Sequence, residues 1–178
     1  FIDYAHTPDA LSKVLQSLKA TYKKDISLVF GCGGERDKKK RSLMAKVANN
    51  YSRKIYVTDD NPRNEDPKKI RNEIIKNINN NKCYNIANRE EAIKKAIINS
   101  QQNEVVLIAG KGHENKQIYK NKIFYTSDKK IVKNIKLKKK ILNNKEQNYF
   151  QNKSILKKII GDIKIKNFEG LSVDSRTV

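Results

Sequence analysis

Glu104-Val105-Val106-Leu107-Ile108-Ala109-Gly110-Lys111-Gly112-His113-Glu114 is the stretch that decides the fold. Val105 to Ala109 is an apolar run of strand length, rich in β-branched side chains and lacking a polar face. The next five residues turn polar, with two glycines and three ionisable side chains. A strand apolar on both faces belongs inside a sheet that is covered on both sides. The upstream sequence supplies the covers. Short apolar strands are predicted at 26–30, 55–57 and, more weakly, 84–86. They alternate with helical patterns. Such alternation implies parallel βαβ units with right-handed crossovers. The expected fold class is α/β and Rossmann-like: a mostly parallel sheet with helices on both faces.

The helices have physical signatures. Thr7 caps and Pro8 opens a helix to about residue 20, with Leu11, Val14, Leu15 and Leu18 at helical spacing. A second helix presents Leu43, Met44 and Val47. A third starts at Asp66-Pro67, buries Ile70, Ile74, Ile75 and Ile78, and ends at Asn79-Asn80-Asn81. A fourth runs over 89–100 with Ala92, Ile93, Ala96 and Ile97 inward. Ile118-Tyr119 and Ile123-Phe124-Tyr125 predict a hairpin around Lys120-Asn121. Ser127-Asp128 caps a last helix to about residue 137. Residues 1–7 read as a short extended lead.

From there the composition changes. Residues 138–149 are Lys- and Asn-rich and read as a linker. Over 150–178, Ile155, Leu156, Ile159 and Ile160 predict a short helix, Gly161 a stop, and Ile163 and Ile165 a strand. That segment is too short to bury a core alone, so it reads as a partial second domain after a first one at 1–137. Phe1 is not an initiator methionine, and the sequence reads as cut from something longer.

Charge and composition exclude several classes. The 178 residues carry a formal net charge of +20, which raises nucleic-acid binding. The lysines are spread through an Asn- and Ile-rich chain, and no aromatics interleave with the basic runs, so nucleic acid is not the expected partner. Two cysteines, Cys32 and Cys83, make no disulfide framework, and a cytoplasmic location is expected. No apolar run reaches membrane-span length.

In an open parallel sheet, ligands bind beyond the carboxyl ends of the strands. Three unusual loops follow predicted strands, at 31–37, 59–66 and 110–114. Gly31-Cys32-Gly33-Gly34-Glu35-Arg36-Asp37 fits neither the P-loop nor the dinucleotide pattern, because Arg36 stands where the third glycine would be. It is either a tight turn or a loop whose backbone approaches a ligand while Arg36 binds an anionic group. Asp59-Asp60-Asn61-Pro62-Arg63 is either an Asx turn or a site. It offers a carboxylate, an amide and a guanidinium, which complement a ligand carrying both ammonium and carboxylate. In the loop at 110–114, Glu114 suits a ligand ammonium and Lys111 a phosphate or carboxylate. His113 and His6 lack a third metal ligand at a suitable spacing, so no metal site is expected. Asp3-Tyr4-Ala5-His6-Thr7-Pro8 is either a cap or a lead-in whose Tyr4 and His6 meet a nucleotide.

Taken in order, these four segments resemble the C-terminal domain of the Mur ligases that add the third amino acid of the peptidoglycan stem peptide, over about residues 1–137. The resemblance is to the members that add meso-diaminopimelate. It implies an ATP- and Mg2+-dependent, amide-forming reaction on a UDP-N-acetylmuramoyl dipeptide, with ATP and Mg2+ held mainly by a central domain without counterpart here. It implies that Asp60, Asn61, Pro62 and Arg63 form the amino-acid selectivity loop. Arg36, Gly110 and Glu114 match further diaminopimelate contacts, and Asp3, Tyr4 and His6 the lead into the nucleotide cleft. Arg63 matches diaminopimelate enzymes and argues against a lysine-adding relative, since its fork suits the extra carboxylate. The remaining alternative is a non-catalytic basic nucleotide- or nucleic-acid-binding module. The chain alone is expected to be inactive. Gly170-Leu171-Ser172-Val173-Asp174-Ser175-Arg176 resembles the start of a Mur ligase N-terminal domain, which implies a tandem fusion, with the second unit adding D-alanyl-D-alanine.

Overall fold

Each strand of the main sheet is joined to the next by a helix instead of a tight turn, so every pairing is parallel. The computed structural model describes residues 1–135. Strands β1 (Ile2–Asp3), β2 (Asp25–Phe30), β3 (Lys54–Val57), β4 (Cys83–Asn85) and β5 (Glu104–Ala109) lie in the order β1-β5-β2-β3-β4. β5 sits between β1 and β2, with Ile2 beside Ile108 on one side and Leu28 beside Leu107 on the other. The run that pointed to a doubly covered strand is therefore interior, and Leu107, Ile108 and Ala109 are buried.

Connection direction sets the layers. The steps β1 to β2, β2 to β3 and β3 to β4 all advance the same way across the sheet. Their helices α1 (Pro8–Tyr22), α2 (Lys39–Tyr51) and α3 (Pro67–Ile75) therefore share one face. The step from β4 to β5 returns the other way and places α4 (Arg89–Ile98) on the opposite face, where α5 (Asp128–Asn134) joins it. Two cores result. Leu11, Leu15, Leu18, Met44 and Ile74 pack with Ile26, Leu28 and Phe30 of β2; Ala92, Ile93, Ala96 and Ile131 pack with Val29 and Ile108. Truncating any one of the fully buried leucines or isoleucines to Ala costs about 2–5 kcal/mol. The loop after β2 leads to α2 on one face. The loop after β5 leads through an antiparallel hairpin, β6 (Lys116–Tyr119) and β7 (Lys122–Tyr125), to α5 on the other. Between β5 and β2 lies the switch point where such sheets bind ligands.

Several local expectations shift. The extended lead is a true strand: β1 pairs with β5, and Gly110 N donates to Asp3 O at 3.2 Å. On α2 the inward stripe is Arg41, Met44, Ala45 and Ala48, with Val47 half-buried and Leu43 48% exposed. The two alanines let this helix lie close to its neighbours, and Arg41 turns inward to Glu65 and Glu73 at 2.9 and 2.7 Å. α3 stops at Ile75, which is only half-buried, and Ile78 is buried from the turn that follows. Asn80–Lys82 form a 3-10 turn that feeds β4 one residue earlier than expected. On α4, Ile97 is half-buried. At α5, the Ser127 side chain makes no cap hydrogen bond, and Asp128 is turned into the core. Residues 136–137, the linker at 138–149 and the partial second domain at 150–178 lie outside the described residues.

Candidate functional site

The three loops that follow β2, β3 and β5 meet at one edge of the sheet, and Asn61 is where they join. Its carbonyl oxygen accepts from Gly34 N at 2.9 Å. Its side-chain oxygen accepts from Lys111 Nζ at 3.2 Å and from Ile118 N at 3.0 Å, while its Nδ2 donates to Glu114 Oε2 at 3.1 Å. Asn61 is 6% exposed. Losing its side chain would take a partner from Lys111 and Glu114 on the third loop and from Ile118 N on the hairpin.

The glycine-rich loop serves this junction. A Cβ on Gly31 would lie 2.2 Å from Thr58 O, and one on Gly34 would lie 1.9 Å from Pro62 O. Both glycines let the first loop press its backbone onto that of the second. Gly110 has φ +108°, and a Cβ there would come within 3.2 Å of Asp60 Oδ2.

Arg63 occupies the left-handed region at φ +53°, an uncommon conformation for a side chain of this size. The hairpin holds it there. Arg63 N donates to Ile118 O at 3.0 Å, and Lys120 N donates to Arg63 O at 2.6 Å. Its Nη1 donates to Gly34 O at 2.7 Å and Asn61 O at 3.3 Å. Nε and Nη2 make no hydrogen bond among the described residues, so one edge of the fork is anchored and its remaining donors are unpaired. Arg36 is exposed and adjoins the same place. A Cβ on Gly33 would lie 2.9 Å from Arg63 Nη1 and 3.7 Å from Arg36 Cγ.

The acidic side of the site is Asp60 and Glu114, both half-buried. Asp60 Oδ1 accepts from Asn61 N at 2.7 Å. Glu114 Oε2 accepts from Asn61 Nδ2 and Lys111 Nζ, both at 3.1 Å. Lys111 departs from its expected role. It is 0% exposed, and its ammonium is fully occupied by Asn61, Glu114 and, at 2.7 Å, Lys116 O. It holds the junction together, and the carboxylate it reaches is that of Glu114 in its own loop. Pro62 is buried against the first loop.

Tyr4, His6 and His113 cluster beyond the ends of β1 and β5. Tyr4 stacks on His113 with ring centroids 5.6 Å apart and meets His6 edge-on at 4.6 Å. Gly112, at φ +52°, makes room for Tyr4. Asp3 is turned inward: its Oδ1 accepts from Ala5 N at 2.7 Å, and burial raises its pKa. Among the described residues no three His, Cys, Asp or Glu side chains converge as metal ligands.

Three buried networks that hold these loops were not anticipated. Arg71 binds Asp59 and Asn85, while Asp59 also accepts from Tyr119 OH at 3.0 Å and, through its carbonyl, from Gln117 Nε2 at 3.0 Å. Burial and the Asp59 carboxylate push the Tyr119 phenol up. Arg89 forks onto Asp128 at 2.9 and 2.8 Å and donates to Ala109 O at 3.0 Å, just before Gly110. Arg41 ties α2 to Glu65 and Glu73. The signal available was position: Arg41, Arg71 and Arg89 each stand on or beside an apolar helix stripe. Cys32, packed with its Sγ 3.9 Å from Met44 Sδ, has its thiol pushed up to about 12 by burial and by Asp60.

The fold and site define a doubly wound α/β domain whose loop edge carries two guanidinium groups, Arg36 and Arg63, and two carboxylates, Asp60 and Glu114. Comparison with known proteins gives the family. Residues 1–112 match the Mur ligase glutamate ligase domain, and the chain belongs to the Mur ligase family. It is 54% identical over 135 residues, 75% of its length, to the UDP-N-acetylmuramoyl-L-alanyl-D-glutamate–2,6-diaminopimelate ligase of Rickettsia conorii (strain ATCC VR-613 / Malish 7), covering 28% of that protein. It is 49% identical over 141 residues, 79% of its length, to the ligase of the same name from Buchnera aphidicola subsp. Schizaphis graminum (strain Sg), again covering 28%. A solved structure of a ligase so named superposes with a TM-score of 0.70 at 41% identity, over 74% of this chain and 28% of that one. The chain thus spans under a third of the length of these relatives.

Proposed function

We propose that this chain is the amino-acid-holding domain of an ATP-dependent ligase that adds meso-diaminopimelate to UDP-N-acetylmuramoyl-L-alanyl-D-glutamate during cytoplasmic peptidoglycan precursor synthesis. The observation that carries the reading is Arg63, whose guanidinium is anchored by Nη1 while its Nε and Nη2 edge is left for a ligand. Diaminopimelate bears an ammonium and a carboxylate at each end. One ammonium suits Asp60 and Glu114, and the far carboxylate suits Arg63, with Arg36 beside it. L-Lysine lacks that second carboxylate and would leave the Arg63 fork desolvated and unpaired, which favours the diaminopimelate-adding reading over a lysine-adding relative.

Binding by two charged ends fixes the ligand's long axis, so that its reactive nitrogen is presented in one direction. ATP, when bound with Mg2+, supplies the phosphoryl group that activates the carboxylate to be joined. The described residues offer Tyr4, His6 and His113 as an aromatic surface but no phosphate loop or cluster of metal ligands. Activation therefore falls to parts of the ligase outside this chain, and the chain alone is inactive. The UDP-sugar dipeptide is likewise a partner of those parts. Gly170–Arg176 is proposed to open a second ligase unit fused in tandem, and gene sequence beyond Val178 tests this: an ATPase phosphate loop should follow there.

Calorimetry on the 178-residue chain tests the central reading. Meso-diaminopimelate should bind and L-lysine should not. Arg63→Ala should weaken binding roughly tenfold to a hundredfold, the worth of a charge-assisted pair. Equal binding of both amino acids would refute it. Salt-sensitive DNA binding without amino-acid binding would favour the basic-module alternative.

A further inference from the structure

We propose that Gly33 is a specificity-determining positioning residue: the missing side chain is the space in which the Arg63 guanidinium sits. The inference rests on the amino-acid-binding reading above for its functional consequence, though not for its geometry. The three glycines of the first loop differ in what they face. Gly31 and Gly34 would drive a Cβ into backbone, at 2.2 and 1.9 Å. Gly33 meets only the tip of one flexible side chain, Arg63 Nη1 at 2.9 Å; its next neighbours, Arg36 Cγ and Asn61 O, are both at 3.7 Å, an ordinary contact. Its φ lies outside the left-handed region, so the backbone accepts alanine.

Gly33 therefore has no conformational or packing reason to be glycine other than the guanidinium. Arg63 cannot retreat freely when that space is filled. Its backbone is pinned by Ile118 O and Lys120 N, and its Nη1 is fixed by Gly34 O and Asn61 O. An added methyl group must displace the fork while leaving the fold in place. Meso-diaminopimelate, with its second carboxylate, depends on that fork; a ligand with one carboxylate does not.

The test is a double-mutant cycle on the 178-residue chain with Gly33→Ala, Arg63→Ala and both together. Meso-diaminopimelate affinity is measured by calorimetry, thermal unfolding is followed for each variant, and the Arg63 Nε–H resonance is followed by NMR. Gly33→Ala should unfold close to wild type, shift the Arg63 resonance and weaken meso-diaminopimelate at least about tenfold. In the Arg63→Ala background it should cost nothing further. A structural role would instead lower unfolding temperature and affinity in both backgrounds, and that outcome overturns the proposal, as does a Gly33→Ala chain that fails to fold. An unmoved Arg63 resonance also overturns it. If wild type does not bind meso-diaminopimelate, the amino-acid reading fails by itself, and the resonance still decides whether Gly33 seats Arg63.

Discussion

Removing Asp128 should destabilise this domain more than removing any surface charge, and the structure sets the scale. Arg89 and Asp128 have side chains 1% and 2% exposed. Two hydrogen bonds, at 2.9 and 2.8 Å, join them. In Asp128→Ala the guanidinium keeps only Ala109 O at 3.0 Å, and its Nη1 already lacks a partner among the described residues. Water does not reach the group to compensate. Breaking a buried pair on one side costs about 3–5 kcal/mol, which lowers the unfolding temperature by roughly 10–15 °C for a domain of this size. The matched control is Asp9→Ala, which breaks an exposed pair at 69% and 78% exposure and should cost no more than about 0.5 kcal/mol. Urea unfolding of both variants at pH 7 is the assay, read at constant slope. A cost under about 1 kcal/mol for Asp128→Ala would refute the reasoning, because it would mean the buried guanidinium finds solvent or another partner. Replacing both residues, as Arg89→Met with Asp128→Leu, should recover part of the loss, with the remainder set by the unpaired Ala109 carbonyl.

Other outcomes follow from the same contacts. Gly34→Ala places a methyl group 1.9 Å from Pro62 O and should cost about 1–3 kcal/mol in urea unfolding, with amino-acid binding lost as the two loops separate. Arg63→Lys keeps the charge but not the fork, and meso-diaminopimelate affinity by calorimetry should fall about tenfold or more. Arg41 holds the Glu65 carboxyl below its ordinary range, chiefly through its hydrogen bond. A lowered native pKa means that this contribution is present above the unfolded value of about 4.3 and is lost as pH falls through the native one. Glu65→Gln should therefore flatten the acid limb of a stability–pH profile below about pH 5, leaving the slope near neutrality unchanged. With its thiol pushed up to about 12, Cys32 should react with iodoacetamide at pH 8.5 far more slowly in the native chain than in urea.

Much of the fold was legible because apolar periodicity reports burial directly. Val105–Ala109 had to be interior, and the alternation around it left only parallel crossovers. From that, the meeting of three loops at one edge follows. What periodicity could not report was the ion pairing. Arg41, Arg71 and Arg89 carry charge at inward positions, and a charged residue beside an apolar stripe usually snorkels to solvent; here Glu65, Asp59 and Asp128 wait for them, residues distant in the chain. Leu43 was misplaced for a related reason: with Arg41 fixed inward by two glutamates, α2 is rotated so that its alanines face the core. Lys111 shows the same limit within the site. Its charge between two glycines suggested a ligand contact, whereas its three acceptors come from Asn61, Glu114 and Lys116, whose convergence is a property of the folded junction. The glycines of 31–34 had two readings in the sequence, a tight turn or a ligand's approach to the backbone. The distances to Thr58 O and Pro62 O add a third use: two of the glycines dock one loop on another.

The loops after β2, β3 and β5 are proposed to form one site for an amino acid charged at both ends. Amide chemical-shift mapping of the isotopically labelled 178-residue chain, titrated with meso-diaminopimelate, tests it most directly. The resonances of Gly33, Gly34, Asn61, Arg63, Gly110 and Glu114 should move together along one binding curve, while L-lysine leaves Arg63 and Gly33 unmoved. Shifts confined to other parts of the chain, or the same response to both amino acids, would contradict the account.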